Sequence, residues 1–215
     1  MRMNEITGQP AAAPPVHPYA SAPNVPPKKR VLVKVGVALG AVVGVVAGRA
    51  AVTAVLDGGP SDAGRYRLTP PASFQGLTLQ DSGPRVDAIK LGQSPRKPGT
   101  EPVAVVYADA SGTARLVVSG AAGRFADRDP GSVLVRGLHE MGTVDAVTEP
   151  AGTPEGAAMS CGTVHVDAGE LPVCMWADHS SLVTVTVPVE NEPVTLAALA
   201  ERTRALRGVM EVRAS

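Results

Sequence analysis

The sequence predicts an α+β fold, in which one transmembrane helix is followed by a largely antiparallel β-sheet domain packed with helices. Three observations predict it. Residues 31–56 form an apolar run whose charges are Lys34 and Arg49. From residue 65 onward, apolar and polar residues alternate with period two between turn residues, the pattern of half-buried strands. Segments 130–141 and 193–212 instead carry apolar residues at helical spacing. The chain of 215 residues therefore divides into a disordered Pro-rich tail (1–30), a transmembrane helix (31–56), a linker (57–64) and a folded domain (65–215).

The tail holds prolines at 10, 14, 15, 18, 23, 26 and 27 and too few apolar residues to bury a core, so it is expected to be solvated. The run that follows is long enough to span, since roughly 20 apolar residues at ~1.5 Å each cross a bilayer core. Lys28, Lys29 and Arg30 precede it, whereas Asp57 and Asp62 follow it, so the positive-inside bias places the N-terminus in the cytoplasm and the C-terminal domain outside. The expected location is the cell membrane, with a single pass. A cleaved signal peptide is the rival reading, with Val52, Thr53 and Ala54 as a small-residue cleavage region. The length of the apolar run, well beyond the usual ~7–15 residues, favours an uncleaved anchor. Gly36, Gly40, Gly44 and Gly48 recur every fourth residue on one helical face, a spacing that lets two backbones approach and suggests self-association through the span.

Charge follows the same division. Lys+Arg and Asp+Glu both total 20, yet residues 1–56 carry six basic residues and one acidic, and residues 57–215 carry fourteen basic and nineteen acidic. The acidic outer part argues against a nucleic-acid partner. With aromatics at 3%, it also lacks stacking platforms for sugars or single strands.

Within the domain, 66–68 and 77–79 are predicted as short strands, 86–91 as a helical turn and 92–102 as a Pro/Gly-rich loop. Strands 103–109 and 113–119 flank Ala110, Ser111 and Gly112 as a hairpin. Asp129 and Pro130 supply an N-cap and a first helical position, and Gly142 supplies a stop, for a helix over 130–141. Strands follow at 143–149, 157–166, 172–177 and 181–189. The last helix, 193–212, is expected to lay Leu196, Leu199, Thr203, Leu206 and Met210 on the sheet, with Glu201, Arg202, Arg204 and Arg207 mostly on other faces.

Cys161 and Cys174 lie in adjacent predicted strands around a turn at 167–170. If the hairpin is symmetrical about positions 167 and 168, Cys161 faces Cys174 and Met159 faces Trp176 on the same side. A structural disulfide is predicted, because thiols outside the membrane oxidise and a separation of thirteen positions makes no redox CxxC pair.

Other chemistry-bearing residues form no recognised motif. His165, Asp167, Asp178 and His179 resemble a metal set by letter, but the hairpin would separate His165 from the level of Asp178 by about 27 Å, too far for one ion, and exposed turn and strand-end positions explain them. Ser160, Ser180 and Ser181 lack a GxSxG elbow. His139 and Glu140 lack the second histidine of the zinc-protease helix. Gly112, Gly120 and Gly123 make no phosphate loop. No catalytic, cofactor-binding or metal-binding residue is assigned, no cofactor is indicated, and whether the chain is an enzyme stays open.

At residues 159–162 (Met-Ser-Cys-Gly) and 173–179 (Val-Cys-Met-Trp-Ala-Asp-His), joined to a Pro-rich tail and one anchor, the chain resembles a group of uncharacterised single-pass membrane proteins of actinobacteria. The resemblance implies a structural role for the Cys and Trp positions and brings no activity. The expected function is a protein-interaction or envelope-sensing module with an envelope protein as partner. An extracytoplasmic small-ligand binder, or an enzyme whose site is assembled from distant residues, is the alternative.

Overall fold

The computed structural model describes residues 60–93, 98–143 and 145–215. The expected tail, the span at 31–56 and the Gly36, Gly40, Gly44 and Gly48 stripe lie outside the described residues. Among the described residues, no helix is long and apolar enough to cross a membrane.

The domain is α+β and its sheets are antiparallel. Its strands are β1 (Tyr66–Leu68), β2 (Ser73–Phe74), β3 (Leu77–Gln80), β4 (Thr100–Ala108), β5 (Ala114–Gly123), β6 (Val147–Glu149), β7 (Ala158–Val166), β8 (Gly169–Ala177), β9 (Ser181–Thr186) and β10 (Glu211–Arg213). Its helices are α1 (Pro84–Gly92), α2 (Pro130–Glu140) and α3 (Leu196–Met210). Eight strands form one sheet in the order β2-β3-β4-β5-β9-β8-β7-β6, and β1 pairs with β10 in a second, two-stranded sheet.

The hairpins follow their turn chemistry. Between β2 and β3, Gln75 and Gly76 both take positive φ, the two-residue turn whose twist matches that of the strands. Between β4 and β5, the Asp109 carboxylate accepts from the backbone of Ser111 and Thr113 and from the Ser111 hydroxyl, and Gly112 completes the reversal at φ 80°. Between β7 and β8, the partners run from Ala158 opposite Ala177 to Val166 opposite Gly169. The symmetry expected for this hairpin is therefore present. Gly120 sits where β5 meets β9, and a Cβ there would lie 2.3 Å from the Leu182 carbonyl oxygen, so only glycine lets these strands close.

Alternation sorts the sheet into two covered faces. Beneath α3, Leu199, Leu206 and Met210 pack on Met159, Cys161, Cys174, Trp176, Val183 and Val185. On the opposite face, Leu134 and Leu138 of α2 cover Val164, Val173 and Met175, while Val86 and Ile89 of α1 cover Ala104, Val106 and Val117.

Several expectations need correction. The predicted helix 193–212 spans Leu196–Met210, because Thr195 caps it by accepting from the Ala198 amide at 3.2 Å, and Glu211 turns extended to join β10. Arg207, expected on an outer face, is fully buried. Strand β4 begins at Thr100, inside the predicted 92–102 loop, while β6 and β9 are shorter than the segments 143–149 and 181–189. Asp62 to Gly64, assigned to the linker, are fastened to the domain: the Gly64 amide donates to the His179 carbonyl at 3.1 Å. Strand β2 had no counterpart in the alternation pattern.

Candidate functional site

The β7–β8 hairpin organises the chemistry. Cys161 and Cys174 are register partners joined by a disulfide, and both are wholly buried under α3. Two pairs along, on the same face, Trp176 faces Met159, and its indole Nε1 donates to the Ser181 hydroxyl at 3.1 Å, at the end of the hairpin where β8 turns into β9.

A buried cluster of charge lies there. Arg207 comes from the last turn of α3, Glu211 from the start of β10, Asp178 from the β8–β9 turn and Ser181 from the start of β9. Arg207 Nη2 lies 2.9 Å from Glu211 Oε2 and 3.6 Å from Asp178 Oδ2, and Nη1 donates to the carbonyls of Ala151 and Gly152. Asp178 Oδ1 accepts from the amides of Ser180 and Ser181 at 2.6 and 2.7 Å. Glu211 Oε1 accepts from Trp176 Nε1 at 2.7 Å and from the Ser181 hydroxyl. Two carboxylates thus share one guanidinium in a region closed to solvent. Burial raises the Glu211 carboxyl above its ordinary value of 4.5, the Asp178 charge raises it further, and Arg207, Ser181 and Trp176 oppose that rise. The cavity against Asp178 and Ser181, walled by Phe125, Pro130, Val133 and Leu182, measures about 10 Å³, the space of a single water. The cluster therefore ties α3, β10 and the β8–β9 turn together and offers a substrate no entry.

The residues weighed from sequence occupy separate places. His165 stands at the opposite end of the β7–β8 hairpin, exposed and 3.8 Å from Glu170. His179 Nδ1 meets Asp62 Oδ1 at 2.8 Å. Burial would raise the Asp62 carboxyl, but that hydrogen bond holds it below the ordinary value. The Ser180 hydroxyl donates to the Asp62 carbonyl and accepts from the Tyr66 amide, and Ser160 is buried in β7. His139 and Glu140 are exposed at the end of α2. Among the described residues, no three His, Cys, Asp or Glu side chains are placed to hold a metal. Asp178, expected as an exposed strand-end residue, is 7% exposed because Arg207 and the turn amides replace its water.

The space open to a partner lies at the other pole. A groove of about 450 Å³ runs between the β7–β8 tip and the segment joining β9 to α3. Pro172, Val187, Pro188, Val194 and Leu196 give it apolar walls, and Glu170 and Glu192 stand among its polar lining groups. One wall is pinned from behind. Asn191 donates to the Ala114 carbonyl at 2.7 Å and accepts from Arg115, which also pairs with Asp109 at 2.7 Å. Glu190 pairs with Arg85 of α1, and the Thr186 hydroxyl donates to the Pro172 carbonyl at 2.6 Å.

The chain matches no protein-family model, no curated protein and no solved structure. Sequence reasoning did not find the groove, because its residues come from three stretches that no motif joins. A partial signal existed for the buried cluster in the i,i+4 spacing of Arg207 and Glu211.

Proposed function

We propose that this protein is a single-pass membrane protein whose extracytoplasmic domain is an interaction module for a partner in the cell envelope, engaged through the groove between the β7–β8 tip and the β9–α3 segment. The observation that carries the reading is the groove: its volume lies in the ~300–1,000 Å³ range of binding sites, its lining mixes apolar side chains with Glu170, Asn191 and Glu192, and one wall is braced by Asn191, Arg115 and Arg85. A braced wall loses little conformational entropy when a partner settles on it. The Cys161–Cys174 disulfide supports an oxidising compartment, and the apolar run at 31–56 with its basic flank supports an N-in anchor. The resemblance to actinobacterial single-pass proteins agrees with that layout, and the Gly36 to Gly48 stripe supports pairing of two spans.

Two measurements test the reading. Full-length protein in its host should remain in the membrane after alkaline carbonate, with the domain accessible to protease from outside; recovery in the soluble fraction removes the anchor. A photo-crosslinking residue at Val189, in the groove, should capture a heterologous envelope protein that the same residue at exposed Leu91 does not. Equal capture from both positions, or none from Val189, removes the groove as the interaction surface.

A further inference from the structure

Resting on that reading, we infer that the groove faces away from the membrane and receives an extended, basic polypeptide segment of the partner. Its position comes from the topology of β8. The chain enters the domain at Asp62 to Gly64, which are tied to His179 in the β8–β9 turn. The groove lies at the other end of the same strand, where Gly169 and Glu170 follow the hairpin tip. The eight steps along this nine-residue strand, at about 3.3 Å each, put its two ends about 26 Å apart. An anchor attached before Asp62 therefore leaves the groove on the outward pole, within reach of another envelope protein.

The charge of the occupant follows from the groove's own acids. Glu170 and Glu192 are both exposed and both line it, and Asp167 stands beside it at the hairpin tip. Among the described residues, its lining contains no lysine or arginine. Arg85 and Arg115, which brace one wall from behind, are paired with Glu190 and with Asp109 and Asn191. A ligand thus meets the carboxylates of Glu170, with the exposed His165 imidazole 3.8 Å away, and of Glu192, and a cation is the complementary partner. The shape of the occupant follows from the walls. Pro172, Pro188 and Pro193 line the groove and bring no amide donors to it, so contact with them is made through apolar surface, and an extended chain with intermittent side chains fits such a wall.

The test uses the full-length protein in detergent micelles and two fluorescent peptides, one alternating lysine and proline and one alternating glutamate and proline. The basic peptide should raise anisotropy saturably, and the acidic peptide should not. Glu170→Gln with Glu192→Gln should weaken the basic peptide about tenfold, and added salt should weaken wild type more than this variant. Asp87→Asn with Glu140→Gln, exposed acids on α1 and α2, should leave affinity unchanged. Equal binding of both peptides, no binding of the basic one, or an equal loss in the control variant overturns the inference. The outcome separates from the wider reading: capture from Val189 of a partner through a neutral or acidic segment overturns the basic occupant and leaves the interaction module standing, whereas absence of any capture removes both.

Discussion

Removing the cross-link between Cys161 and Cys174 should destabilise the domain by about 3 kcal/mol. The bond closes a loop between positions 13 apart, and chain-entropy arithmetic for a loop of about 15 residues gives that value by restricting the unfolded chain. For a folded unit of this size, each kcal/mol moves the melting temperature by about 2–4 °C, so an oxidised-to-reduced difference of about 6–12 °C is expected. The comparison is made on wild-type protein unfolded and refolded with and without a thiol reductant, because both sulfurs are wholly buried and reductant reaches them only when the hairpin opens. The reduced chain keeps both sulfur atoms, so the difference isolates the cross-link. Cys161→Ala with Cys174→Ala then gives a melt that reductant no longer moves, somewhat below the reduced wild type because packing atoms are also lost. Calorimetry reads the temperatures, and a thiol titration confirms the redox state. Coincident melts for fully oxidised and fully reduced protein would refute the reasoning, since the hairpin register would then hold without the bond.

Arg207→Met should cost roughly 3–5 kcal/mol in urea unfolding by leaving Asp178 and Glu211 buried without their cation; adding Glu211→Gln should recover part of the loss, and an additive double mutant would argue against the shared site. Because the Glu211 carboxyl is raised, the folded state binds its proton more tightly than the unfolded state, so its contribution is complete below about pH 4.5 and is lost as pH rises through the folded value. Asp109 and Asp145 have the opposite sign: hydrogen bonds from Ser111 and the Thr163 amide hold them low, and their contributions are lost as pH falls below the ordinary carboxylate range. Glu211→Gln should therefore flatten only the upper limb of a stability profile recorded from the single tryptophan's fluorescence, and a pH-independent difference from wild type would speak against a titrating Glu211. Gly120→Ala places a Cβ 2.3 Å from the Leu182 carbonyl and 2.7 Å from Val183 Cα, both backbone atoms, and should cost about 3 kcal/mol in the same unfolding assay; a wild-type melt would mean that β5 and β9 separate freely.

The local features were legible where a short stretch of chain determines them. Asp129 before Pro130 marks the start of α2, where the aspartate accepts from the Ser132 amide. The alternation around 167–168 fixes which residues face one another in β7 and β8, and with them the disulfide. Pairing between distant segments was not legible. Strands β1 and β10 have three residues each and stand at opposite ends of the domain's sequence, so neither has enough period to announce a partner. Arg207 sits among Glu201, Arg202 and Arg204 and looks like one more solvated charge, because its carboxylates arrive from the β8–β9 turn and from the chain beyond the helix. The groove has the same origin: Pro172, Val187 and Leu196 become neighbours only once β9 has returned beside β8 and α3 has folded over the sheet.

The pairing of β1 with β10 sets the order in which the two ends of the domain would come apart under a pull. A pull on the chain before Asp62 would meet the bonds of Asp62 and Gly64 to His179 and Ser180 first and then the rungs of the small sheet. These open in series, beginning with the Ala214 amide on the Arg65 carbonyl and passing through Tyr66 opposite Arg213. The peel arrives at Leu68 opposite Glu211, the residue clamped by Arg207, Ser181 and Trp176. A pull at this end would therefore open the two-stranded sheet before it reaches the buried Glu211 carboxylate, the point at which peeling would give way to unfolding of the whole domain.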